Sequence, residues 1–143
     1  MDKKLRKRLY FMRSLSTFHY KFEPCERPLD IVIPVVPKDL RTLPLCLEGV
    51  RTCVTNKVKN IYIVAPANAD LEMFCADNGL IFVEEGTVLG YGPSNIHFVV
   101  HRVENRSGWI FQQLLKLSGK IGTCEEFAVV DADHVLLKPH TFI

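Results

Sequence analysis

Four short runs of aliphatic and β-branched residues constrain this chain most: Asp30-Ile31-Val32-Ile33-Pro34-Val35-Val36, Asn60-Ile61-Tyr62-Ile63-Val64-Ala65, Leu80-Ile81-Phe82-Val83-Glu84 and Glu126-Phe127-Ala128-Val129-Val130. None alternates apolar with polar, so none reads as a strand with one wet face. A nearly continuous apolar strand belongs in a sheet covered on both sides. Between the runs the period changes to that of helices: residues 39–55 carry Leu40, Leu43, Leu47, Val50 and Val54 at helical intervals, and residues 68–78 run to Gly79. A third helix is predicted over 108–118, presenting Trp109, Ile110, Leu114, Leu115 and Leu117 before Gly119. Strands alternating with helices predict an α/β fold with a parallel sheet.

The 143 residues suffice for one core and not for two ordinary ones, and 48% hydrophobic with 24% charged residues is the balance of a globular domain. We place that domain at residues 28–143, after a basic arm over residues 1–27. Its architecture is predicted as a Rossmann-like parallel-sheet nucleotide-binding fold with helices on both faces. Asp39 reads as the N-cap of the first helix, with Pro44 still in its first turns, and Ser107 as the cap of the third. Residues 86–95, with Gly86, Gly90, Gly92 and Pro93, read as a loop; 96–105 fit helix and strand equally. His134-Val135-Leu136-Leu137 reads as a short extended piece stopped at Lys138-Pro139.

Charge is unevenly spread. Residues 1–22 hold seven Lys or Arg against Asp2, so that stretch is +6 and the rest of the +2 chain is −4. Leu5, Leu9, Met12 and Leu15 fall at helical spacing, which leaves two readings open: a solvated arm, or a basic amphipathic helix in peripheral contact with an anionic membrane. No run in the arm approaches the length of a membrane span and no h-region is followed by a small-residue cleavage site, so neither secretion nor a transmembrane anchor is expected. Cys25, Cys46, Cys53, Cys75 and Cys124 are odd in number and form no C-x-x-C pair, which fits a reducing, cytoplasmic setting. With the positive charge confined to the arm, no nucleic-acid partner is expected.

The chemistry concentrates at Asp131-Ala132-Asp133. Two carboxylates at the end of a predicted buried strand make a hard, anionic oxygen site of the kind that Mn2+ or Mg2+ takes with substrate phosphates and water. Ala132 leaves room for a ligand to approach the backbone. The bland alternative is a pair of solvated turn residues. Upstream, Trp109, Gln112, Gln113 and Lys116 fall on one helical stripe; facing a cleft, Lys116 and Arg106 would hold phosphate and the Gln amides would bind hydroxyls. Facing water, they are only a polar surface. After the first strand, Asp39 is either the helix cap or an acceptor for a base or sugar hydroxyl, and Arg41 is placed to reach phosphate. His97 and His101, four apart, would chelate a metal only on a helix and lack a third ligand.

The combination of D-I-V-I-P-V, R-S-G-W-I-F-Q-Q-L-L-K-L and F-A-V-V-D-A-D-H-V-L-L-K-P resembles a group of uncharacterised glycosyltransferases that carry R-x-G-W-x-x-Q-Q-x-L-K-L before V-x-D-A-D-x-x-x-L-x-P, a group similar in turn to GT-A enzymes. It covers about residues 29–143. The resemblance implies metal-dependent sugar transfer from a nucleotide-diphosphate sugar to an unknown glycan, lipid or protein acceptor. Asp131 and Asp133 would bind the metal, and Arg106, Trp109, Gln112, Gln113 and Lys116 would line the donor site. His134 stands where members often carry Thr or Ser. Because such enzymes continue well past this motif, the resemblance implies the donor-binding half alone, incomplete at its C-terminus. Two other readings remain: a non-catalytic remnant that binds partners or membrane through its arm, and a phosphohydrolase with Asp131 as nucleophile and Asp133 as acid.

Overall fold

The computed structural model describes residues 25–101 and 104–143. The amphipathic reading of the basic arm falls outside the described residues. In chain order the elements are β1 (Leu29–Pro34), α1 (Leu43–Cys53), β2 (Val58–Ala65), α2 (Ala69–Asp77), β3 (Ile81–Glu84), α3 (Glu85–Leu89), β4 (Val99–Val100), β5 (Glu104–Asn105), α4 (Ser107–Leu117) and β6 (Glu126–Val129). Short 3-10 turns lie at Pro37–Arg41 and Pro93–Asn95.

Four strands form one sheet in the order β3-β2-β1-β6, with every neighbouring pair parallel. Alternate residues of β1 serve opposite faces. Leu29, Ile31 and Ile33, continued by Val35, join Leu43, Cys46, Leu47 and Val50 of α1 and Leu71 and Cys75 of α2 in one core. Val32, with Tyr62 and Val64 of β2, packs with Phe111 and Leu115 of α4 in the other. This is the predicted Rossmann-like α/β arrangement, with helices on both faces.

Only β1 and the second half of β2 are buried throughout. β3 and β6 are edge strands, with Ile81 and Phe127 exposed, because an apolar run marks a strand without fixing its place in the sheet. Within 96–105, Val99–Val100 and Glu104–Asn105 are strands that pair antiparallel, and His101 takes a positive φ of 53°. His97 and His101 therefore never share a helix. Part of the predicted loop is helical, since α3 follows β3 at once and stops where Gly90 turns left-handed at φ 77°.

Both predicted caps are corrected. Val36 precedes the 3-10 turn, and Asp39, its third residue, reaches back so that Oδ2 accepts from the Val36 N–H at 3.3 Å. Thr42 stands at the N-cap of α1. Ser107 is already the first residue of α4; its Oγ accepts from the Phe98 N–H at 3.0 Å, tying the β4 segment to the helix.

The segment after Asp133 joins no ladder of the sheet. It crosses α1 at Gly49, where a Cβ would lie 2.7 Å from the Leu136 nitrogen and 2.9 Å from its oxygen. It then follows the helix's end: Cys53 Sγ donates to the Leu136 carbonyl at 3.3 Å, His140 N to the Cys53 carbonyl at 2.7 Å, and Thr55 N to the His140 carbonyl at 3.0 Å. We call residues 134–143 the strap.

Candidate functional site

The chain passes from β1 to β2 and β3 on one side, then returns through α4 to place β6 on the other side of β1. In parallel sheets the crevice where strand order reverses, outside the carboxyl ends, is where ligands bind. A cleft of about 620 Å³ opens there, lined by the ends of β1 and β6, the 3-10 turn, Glu85 and one flank of α4. A second hollow, of about 420 Å³, lies by the start of β2 and the end of α1 and has no carboxylate in its lining.

The ladder between β1 and β6 ends one residue past β6, where the Val130 N–H donates to Val32 at 3.0 Å. The chain then turns, the His134 N–H closing on the Asp131 carbonyl at 2.9 Å. Ala132 in the middle is 2% exposed and belongs to the core beneath α1. It packs into that core and also lines the cleft between the two flanking acids, so its small size serves both. Their charge is felt nearby: the Cys46 thiol, which donates to the Asp131 carbonyl at 3.6 Å, is pushed up to about 11, by burial first and then by Asp133 and Asp131.

Opposite them stands α4. Phe111 and Leu115 face the core, which turns Trp109, Gln112, Gln113 and Lys116 into the cleft. The Lys116 ammonium meets Asp131 Oδ1 at 2.5 Å; the lysine side chain is 17% exposed and the aspartate 41%. Trp109 stays half-exposed over the opening. Asp39 also reaches the lining.

Arg41 and Arg106 lie outside that lining. Arg41 is the last, exposed residue of the 3-10 turn, and Arg106 pairs with Glu104 at 2.9 Å on the surface. Lys38 takes the place expected for Arg41, because the turn starts immediately at Pro37 and keeps the residue next to it at the strand's end.

Glu85 was also missed by the sequence reading. It follows the last residue of β3 and lines the far end of the cleft; burial, then the neighbouring Glu84, raises its pKa above the usual carboxylate value. Its place directly after a strand's carboxyl end was the available signal.

Among the described residues no group of three or more His, Cys, Asp or Glu gathers at a point. Asp131 and Asp133 thus offer a pair of carboxylates, which suits a hard ion that keeps waters and draws its other ligands from substrate oxygens. The five cysteines are free, and among the described residues no helix is long and apolar enough to cross a membrane. No protein-family model matches the sequence, and no curated protein matches it significantly.

Proposed function

We propose that this chain holds the donor-binding part of a GT-A-type glycosyltransferase, in which Asp131 and Asp133 bind Mn2+ or Mg2+ and the cleft takes the nucleoside diphosphate of a sugar donor. One observation carries the reading: the acidic turn lies at the reversal point of the sheet, in the same cleft as Lys38, Lys116, Trp109 and the two glutamines. When bound, the ion would neutralise the diphosphate and stabilise it as a leaving group.

The chain's own residues do the rest. Lys38 and Lys116 supply positive charge for phosphate oxygens. Trp109 offers a flat apolar surface, and the Gln112 and Gln113 amides offer donors and acceptors for hydroxyls. The lanes of β6 and β3 are three strand spacings apart, roughly 14 Å. An extended nucleoside diphosphate is of that order, so phosphates at Asp131 leave the nucleoside over β2 and β3, toward Glu85.

The test is a melting experiment with each of UDP, GDP, ADP and CDP, with and without Mn2+. Saturation near a hundredfold over Kd adds about 2.7 kcal/mol, a rise of roughly 5–10 °C for a domain of this size. We expect that rise only with ion and nucleotide together, and its loss in Asp133→Ala. A folded sample that responds to none of them overturns the reading. Release of phosphate from an aryl phosphate, abolished in Asp131→Asn, would replace it with hydrolysis.

A further inference from the structure

The ammonium of Lys116 meets Asp131 Oδ1 at 2.5 Å, so a metal ion bound to Asp131 would compete with it for that carboxylate. The lysine stem is mostly covered on α4, and α4 is fixed to the sheet by Phe111 and Leu115. The aspartate stands on a separately anchored turn, held by buried Ala132 and the His134 amide. Neither element needs to move for the pair to exchange, because a lysine is a compact charge on a flexible four-carbon stem. We propose that Lys116 is a stand-in cation: it neutralises Asp131 until a nucleotide arrives and then passes to the diphosphate, which makes ion and nucleotide bind cooperatively.

The diphosphate half of this proposal rests on the function proposed above. The electrostatics set its direction. Asp131 and Asp133 together carry two negative charges and Lys116 offsets one of them, so a divalent ion arriving alone must first displace the ammonium from Asp131. A nucleoside diphosphate brings an anion for that ammonium. With the ion bound, Asp131 would pair with it and the Lys116 ammonium with a phosphate oxygen, so neither the carboxylate nor the ammonium would lose its partner. Coupling of this kind is reciprocal: whatever factor the nucleotide adds to ion affinity, the ion adds to nucleotide affinity.

The experiment titrates Mn2+ against the full chain, free ion being read by electron paramagnetic resonance, alone and with saturating UDP, GDP, ADP or CDP. The wild type is compared with Lys116→Gln and with Lys116→Met, which keeps most of the stem if the first variant folds poorly. We expect weak Mn2+ binding by the wild type alone, tightened about tenfold or more by the nucleotide, within the usual range of coupled sites. In both variants Mn2+ alone should bind about tenfold tighter than in wild type, with the coupling factor falling toward one. A merely structural lysine would leave Mn2+ affinity unchanged or lower it, and either result overturns the proposal. Nucleotide binding with equal coupling in wild type and variants also overturns it while leaving the proposed function standing. Absence of nucleotide binding in the wild type overturns both.

Discussion

Replacing Gly49 with alanine tests the packing of the strap against α1, because the outcome depends on which of two opposed terms is larger. Within a helix, glycine to alanine gains about 1 kcal/mol from backbone propensity. At Gly49 the new Cβ would sit 2.7 Å and 2.9 Å from backbone atoms of Leu136, against an ordinary contact of 3.4 Å or more, so the strap must retreat by 3.4 − 2.7 = 0.7 Å. Those atoms cannot swing aside as a side chain would, since the Leu136 carbonyl is held by Cys53 and the His140 backbone is bonded on both sides. Overpacking against a fixed neighbour costs about 1–3 kcal/mol, occasionally more, and the rigidity of this neighbour places it at the upper end. The expected net loss is about 1–2 kcal/mol, read as a fall of roughly 3–8 °C in melting temperature and confirmed by urea titration. Gly108→Ala is the control: it lies in the first turn of α4 with nothing within 4 Å of its Cβ, and should be neutral or stabilising. If Gly49→Ala melts at or above the wild-type temperature, the strap does not cross α1 at that point.

Two further substitutions test carboxylates other than Asp131 and Asp133. Asp30 is fully buried, and its Oδ2 accepts from the Thr123 and Cys124 amides at 2.5 and 2.9 Å. Burial pushes its pKa up, but these bonds together with Asn60 hold it below the usual carboxylate value. Its stabilisation is thus present above the ordinary range near pH 4 and is lost as pH falls through the lower folded-state value. Asp30→Asn should cost about 1.5–3 kcal/mol at neutral pH, and urea midpoints measured down the acid range should converge with wild type. Glu85 behaves in the opposite sense: its raised pKa means that folding favours the protonated form, a stabilisation lost as pH rises through the folded value. Glu85→Gln should therefore melt higher than wild type near neutrality, with the difference closing as pH falls toward the ordinary carboxylate range.

The sheet was legible because a strand buried on both faces leaves an unbroken apolar run, and β1 is such a strand over its whole length. The same signal says nothing about neighbours, which is why β3 and β6 were read as buried and stand at the edges. The caps were misread for a related reason. Asp39 and Ser107 are residue types that cap helices, yet each satisfies a backbone amide from a position inside its element. A residue type reports which bond it can make; its place in the helix depends on where the backbone begins to turn. Gly122 was invisible altogether: its φ of 104° and its approach to the Asp30 carboxylate have meaning only once residues 30 and 122 meet.

Within the cleft, periodicity sufficed wherever one element supplied the residues. Trp109, Gln112, Gln113 and Lys116 share a flank because Phe111 and Leu115 fix the helix's rotation. Residues at the starts and ends of elements escaped that logic: Arg41, closing the 3-10 turn, and Arg106, just before α4, lie outside the lining, and Lys38 and Glu85 reach the cleft from positions that no period marks. The Lys116–Asp131 contact belongs to neither class, since it joins a helix to the turn after a strand, fifteen positions apart. Each partner was legible as a binder of something else, a phosphate for the lysine and a metal for the aspartate. Their meeting is the internal ion pair on which the proposed exchange rests, and only the fold, by bringing the helix and the turn together, reveals it.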